Sequence, residues 1–283
     1  MPKDEKRKVG PIYRVFSQDL HSTKFHEESI GYRQAEIWRS KSRQFTKDAT
    51  IIGSIKTAKR NDDKEKMPSL EEEGFIILRK SLWSDVDKLD RRLVVKLFTE
   101  SGGWIGTMEE MVAEEYTTSY VSDEPLVVFT VLTKESEIIT WVKQQKRGGL
   151  STENYSFYIL GPKNTFESFR IEGARGSMGD DFDVIRLNGN EKVANIDSKF
   201  GDIGGEFVVK IKDPVLAQNE WFCRVLQCFS VMIAYRGEIR DKINDGFHKW
   251  KKGKKIPEIH RYEISLLANP RKLTLKLDEL EKV

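Results

Sequence analysis

Cysteine and histidine are scarce in this chain. Of 283 residues, two are Cys and four are His. Cys223 and Cys228 both sit inside the most apolar stretch, so they read as core thiols of a reducing compartment and not as a disulfide framework. His21, His26, His248 and His260 are spread over the two ends. None stands at metalloprotease or zinc-finger spacing, and nothing near His21 and His26 completes a metal site. GxSxG, GxxxxGK[ST] and a strand-following GxGxxG are all missing, so no catalytic set is selected and the expectation is a protein that is not an enzyme. Long uncharged apolar runs are missing too, which excludes a conventional membrane-spanning helix. The opening MPKDEKRKVG has basic residues without an apolar segment behind them, which argues against secretion. Charge of one sign is also lacking: 48 basic against 45 acidic side chains leave a net of +3, so any electrostatic function must come from local clustering.

What is present is β-rich. Apolar residues make up 38 % of the chain, with fifteen Phe and six Trp, enough to fill a core. From Phe75 onward, strand-like runs follow one another: FIIL (75–78), RLVVKLF (92–98), WIGTMEEM (104–111), LVVFTVL (126–132), IITWVKQ (138–144), YSFYIL (155–160), FESFRIEG (166–173), DFDVIRL (181–187), VANI (193–196) and EFVVKIK (206–212). Turn-formers separate them, among them ESGG, the acidic stretch before Pro125, KRGG, GPKN, LNGN and GDIGG. Strands about every ten residues with tight turns predict an all-β barrel or sandwich. In the last run Phe207, Val209 and Ile211 share one face, with Val208, Lys210 and Lys212 on the other. Upstream, ATIIGSI and IGYRQAEIW are possible short strands, while residues 1–10 and 56–73 read as charged linker.

After Asp213-Pro214 the period changes. Trp221 to Tyr235 is apolar nearly all round, with Asn219 placed to cap its start and Gly237 to end it. Such a helix is buried on almost every side. At ~1.5 Å per residue it is too short for a ~30 Å hydrocarbon core, and it carries Arg224, Gln227 and Ser230. The economical solution is a helix over 220–236 enclosed by strands, with Arg224 reaching the barrel mouth, a carboxylate or a backbone carbonyl.

The order GFIILRKSLWSDV, RRLVVKLFTESGGWIGTMEEM, LVVFTVLTKESEIITWVKQ, YSFYILGPKNTFESFRIEG, DDFDVIRLNGNEKVANIDSKF, GGEFVVKIKDPVL and then the helix resembles the phospholipid scramblase family of the tubby C-terminal-like superfamily. The resemblance covers about 74–237. It implies a closed antiparallel barrel of about 12 strands around one central hydrophobic helix, and a peripheral protein that binds anionic phospholipid, linked to lipid scrambling. It also implies a calcium loop before the helix, for which this chain offers Asp202, Glu206 and Asp213. The chain departs from animal scramblases in lacking a Cys cluster and a Pro-rich arm. The expected organisation is a charged region over 1–73 that holds any first strands, the barrel over 74–240, and a basic extension over 241–283.

That extension holds the best clue that needs no family. HKWKKGKKIPEIHR places Lys249, Lys251, Lys252, Lys254, Lys255 and Arg261 around Trp250, against the single acid Glu258. Basic residues with an embedded aromatic suit an anionic membrane surface. They also suit nucleic-acid phosphates or a protein partner, the alternative being a soluble interaction protein with the barrel as scaffold. No cofactor is expected beyond calcium. The expected location is cytoplasmic, at a membrane surface, or nuclear.

Overall fold

The computed structural model describes residues 11–20, 39, 42–60, 67–146, 152–161, 165–174, 181–199, 205–254 and 258–267. Twelve antiparallel strands close into a barrel. They are β1 (Arg14–Leu20), β2 (Ala49–Lys59), β3 (Glu71–Arg79), β4 (Val94–Thr99), β5 (Trp104–Glu110), β6 (Val128–Thr133), β7 (Thr140–Gln145), β8 (Asn154–Leu160), β9 (Phe166–Gly173), β10 (Phe182–Arg186), β11 (Glu191–Lys199) and β12 (Glu206–Ile211). Each strand pairs with its neighbour in sequence, and β1 closes the ring on β12 with Arg14 opposite Ile211 and Phe16 opposite Val209. The ten runs read from Phe75 onward are β3 to β12, and ATIIGSI is part of β2. IGYRQAEIW lies outside the described residues.

Among the described residues the strands are accompanied by the helices α1 (Lys80–Trp83), α2 (Val112–Ser122), α3 (Pro214–Gln218), α4 (Glu220–Lys251) and α5 (Arg261–Leu267). About eight strands suffice for a barrel filled by its own side chains. Twelve leave room for a rod, and α4 fills it. All positions from Trp221 to Ile233 are buried, including both Cys, whose thiols burial pushes up to about 12. The inward faces of the strands meet the helix in one continuous core. Phe222 packs against Phe169 at 5.0 Å, which stacks on Phe157 at 5.0 Å, and Phe229 sits between Tyr155 at 5.0 Å and Phe182 at 5.2 Å. On β12 the alternation is as expected, with Phe207, Val209 and Ile211 inside. The Asn188-Gly189-Asn190 turn joins β10 to β11, with φ of 87° at Gly189 and 51° at Asn190.

Antiparallel order gives the barrel two distinct rims. At the entry rim lie the start of each odd-numbered strand and the end of each even-numbered one. Here α4 begins, capped by the Asn219 side chain, which accepts from the Phe222 amide at 3.0 Å. Arg224 donates to Glu73 at 2.7 Å and to Glu220 at 3.2 Å, so it reaches carboxylates at the mouth. Arg14, 1 % exposed, lies against the same pair at 3.5 and 3.0 Å. Buried charges of this kind survive only when paired. The Trp221 indole donates to Thr140 at 2.7 Å.

Three expectations are corrected or extended. The helix does not stop at Gly237 but runs to Lys251, because Ile239, Lys242, Ile243 and Gly246 are buried on one side beyond it. Gly237 has no positive φ, so it makes no C-cap turn. At ~1.5 Å per residue the 32-residue helix is about 48 Å long, far more than any strand spans, so its second half projects from the exit rim. The segment between β5 and β6 is more than the expected acidic turn: Asp123 and Glu124 do turn the chain before Pro125, but α2 precedes them and buries Val112, Tyr116 and Ser119. The charged linker over 56–73 is partly strand: β2 continues to Lys59 and β3 starts at Glu71.

Candidate functional site

The projecting half of α4 and the helix beside it form the most distinctive surface. An aromatic ladder joins the two. Tyr116 and Tyr120 are one turn apart on α2, and Phe247 and Trp250 are one turn apart on α4. Ring centroids lie 5.8 Å apart for Tyr116–Phe247, 6.2 Å for Tyr120–Phe247 and 5.3 Å for Tyr120–Trp250. Gly246 makes this approach possible, since a Cβ there would fall 1.9 Å from the Tyr116 hydroxyl. The ladder runs from buried to wet. Tyr116 is enclosed and its phenol is raised by burial, whereas Tyr120 is 57 %, Val121 81 % and Trp250 37 % exposed.

Around this apolar tip stand exposed cations. Lys249 and Lys251 lie on the last turn of α4, Lys252 caps it, and Lys254 follows Gly253, whose φ is 64°. Cations at a helix C-terminus are favoured by the exposed carbonyls there. Lys146, also exposed, donates to the Ser122 carbonyl at the end of α2 at 2.7 Å. Lys249, Trp250, Lys251, Lys252 and Lys254 thus stand together at the end of α4. Lys255 lies outside the described residues. Arg261 is placed on a different element, opening α5, and is exposed.

Beneath the tip, the exit rim holds a buried charge network. Arg92, just before β4 and 2 % exposed, donates to Glu263 of α5 at 2.6 Å and lies 3.4 Å from Glu109. Glu263 is fully buried and also accepts from the amides of Val112 at 3.2 Å and Ala113 at 2.9 Å, so it caps α2 from a distant part of the chain. Lys242 of α4 pairs with Glu110 and stands 3.8 Å from Glu115. Burial drives the Glu115 carboxyl well above the usual carboxylate range, against the pull of the Val128 amide that it accepts from at 3.0 Å. Glu153 takes Arg236 at 2.6 Å and Arg240 at 2.7 Å. These groups neutralise one another and lock α2, α4 and α5 onto the barrel.

The two rims differ in charge. Among the described residues the entry rim exposes Glu71, Glu72, Glu100, Glu135, Glu137 and Glu191, with Lys56, Lys134 and Lys192. This rim thus carries more exposed acids than cations, whereas the tip mixes its lysines with Asp123 and Asp245.

The described calcium candidates do not come together. Asp202 lies outside the described residues. Glu206 starts β12 at the exit rim and accepts from Ser17 at 3.0 Å. Asp213 follows the other end of β12, where it caps α3 through the amides of Val215 and Leu216 at 2.8 and 2.9 Å and pairs with Arg186 at 2.6 Å. A six-residue strand separates the two carboxylates by roughly 20 Å at ~3.3 Å per residue, too far to share one ion. Among the described residues no three His, Cys, Asp or Glu side chains are grouped to hold a metal.

Sequence reasoning missed Tyr120 and Val121. The signal was the i, i+4, i+8 spacing of Val112, Tyr116 and Tyr120, masked by Thr117, Thr118 and Val121, which favour strands. No family model matches the chain, and no curated protein or solved structure matches it.

Proposed function

We propose that this chain is a scramblase-like or tubby-like protein that docks on anionic phospholipid membranes with the far end of α4. One observation carries the reading: exposed Trp250, Tyr120 and Val121 are set among Lys146, Lys249, Lys251, Lys252 and Lys254. Each Lys near an anionic leaflet contributes about 1 kcal/mol. Five together contribute on the order of 5 kcal/mol, a dissociation constant of about 0.2 mM that insertion of the aromatics strengthens. The acidic entry rim would face away from the bilayer. A barrel threaded by a helix is the architecture that the scramblase resemblance implies, and the proposed link to lipid scrambling rests on that resemblance alone. No helix among the described residues is long and apolar enough to cross a membrane, and the proposal places contact at the surface.

Co-sedimentation with vesicles that contain or lack phosphatidylserine, at low and high salt, tests the reading. Binding should need the anionic lipid and weaken with salt, because exposed charges are screened beyond ~8–10 Å. Replacing Lys251, Lys252 and Lys254 with Glu should abolish it, and Trp250→Ala should weaken it without changing the salt dependence. Binding indifferent to anionic lipid would sink the proposal. A nucleic-acid gel shift lost on changing the same lysines to Ala, with no vesicle binding, would favour a nucleic-acid partner.

A further inference from the structure

Both ends of the molecule carry charges that its own fold leaves unpaired. On the wall between them, Arg170 meets Glu172 at 3.1 Å, Lys210 meets Asp197 at 2.6 Å, and Lys192 meets Asp183. At the entry rim the hairpins β2–β3, β4–β5 and β6–β7 are neighbours around the ring. They expose Glu71, Glu72, Glu100 and Glu137, and among the described residues no ion pair reaches any of the four. The exposed cations of this arc, among the described residues, are Lys56 and Lys134. The same loops expose apolar side chains: Leu70, 42 % exposed, precedes Glu71, and Ile138, 41 % exposed, follows Glu137. The tip is the counterpart. Among the described residues no ion pair reaches Lys252 or Lys254. Of the acids nearby, Asp245 is held by Lys88 at 2.7 Å and Asp123 stands 3.8 Å from Lys251. Trp250, Tyr120 and Val121 are exposed alongside.

The 32 residues of α4 span about 48 Å at ~1.5 Å per residue, from the entry rim to the tip, so the two ends cannot meet within one molecule. Between molecules they are complementary. One end offers unpaired glutamates with exposed aliphatic side chains, the other unpaired lysines with exposed aromatic ones. We infer that this chain self-associates head to tail, the tip of one copy docking on the β2–β7 arc of the next copy's entry rim. Lysines of the tip meet glutamates of the arc in charge-assisted hydrogen bonds. Trp250 and Val121 cover Leu70 and Ile138. An anionic membrane is repelled by this arc, whereas a cationic surface with aromatic side chains stands at the other end of the same chain. Two different patches meet, so the contact is heterologous. Because they lie at opposite ends of one rod, repetition extends a filament and closes no ring. The contact uses tip residues of the membrane-docking reading without resting on that reading, and its test contains no lipid.

The test is sedimentation velocity over a concentration series up to about 1 mM, the range in which a few exposed charge pairs act. At low salt the weight-average mass should grow beyond that of a dimer, and high salt should return it to the 32.8 kDa of one chain. A tip variant, Lys252→Gln with Lys254→Gln, and a rim variant, Glu72→Gln with Glu137→Gln, should each stay monomeric. All four side chains are exposed, so both variants should keep the wild-type near-ultraviolet dichroism. Mixed, the two should form a dimer and nothing larger, since the tip variant keeps its rim and the rim variant keeps its tip. A mixture that stays monomeric overturns the inference, and so does either variant growing alone. A wild-type protein that is monomeric throughout, that stops at a dimer, or that grows regardless of salt overturns it as well.

Discussion

Glu263 offers the sharpest test of how the exit rim is held together. It belongs to a segment that reads in sequence as a tail, yet its carboxylate is fully buried and receives Arg92 at 2.6 Å and two α2 amides at 2.9 and 3.2 Å. Glu263→Met leaves Arg92, 2 % exposed, with only Glu109 at 3.4 Å, and uncaps α2. Breaking a buried pair by removing one partner costs about 3–5 kcal/mol. Against a total stability of roughly 5–15 kcal/mol, that is a large fraction. At ~2–4 °C per kcal/mol for domains approaching this size, the melting temperature should fall by about 6–20 °C. Calorimetry on Glu263→Met, Arg92→Met and the double variant completes a cycle. The double variant should be less destabilised than the sum of the singles, because neither charge is then left alone. A melting temperature within a degree of wild type for Glu263→Met would refute the reasoning, and so would strict additivity.

Two further outcomes follow from the core and from the buried acid. Leu226→Asp places a carboxylate without a partner at a fully buried position on the central helix, and the protein should not fold; a wild-type near-ultraviolet dichroism spectrum would contradict the threaded barrel. For Glu115, burial raises the folded-state carboxyl well above 4.5. Folded protein therefore keeps this proton after the unfolded chain has lost its own, and the contribution to stability falls as pH rises from 4.5 toward the folded value. Glu115→Gln retains an acceptor for the Val128 amide and removes the titration. Its melting temperature should decline less with rising pH than that of the wild type, and parallel profiles would count against the assignment.

Strand runs, the Asn188-Gly189-Asn190 turn, the alternation on β12 and the buried first half of α4 were legible in the sequence, since each depends on residues close together in the chain. Periods of two and of three to four survive in any context when one face must be dry. The same local rules misread Gly237 and passed over α2. Gly237 is a stop only where nothing beyond it is held, and here Ile239 and Ile243 are held by packing. The β-branched residues of α2 favour a strand until Tyr116 finds α4 and Glu263 arrives to cap the helix. The basic run was visible as composition, but its apolar partners Tyr120 and Val121 come from a segment more than a hundred residues earlier. Ring closure by β1 on β12, the meeting of Glu263 with Arg92, and the aromatic ladder between α2 and α4 were decided by tertiary structure alone. Each joins groups whose mutual attraction has no meaning until the chain between them has been folded away.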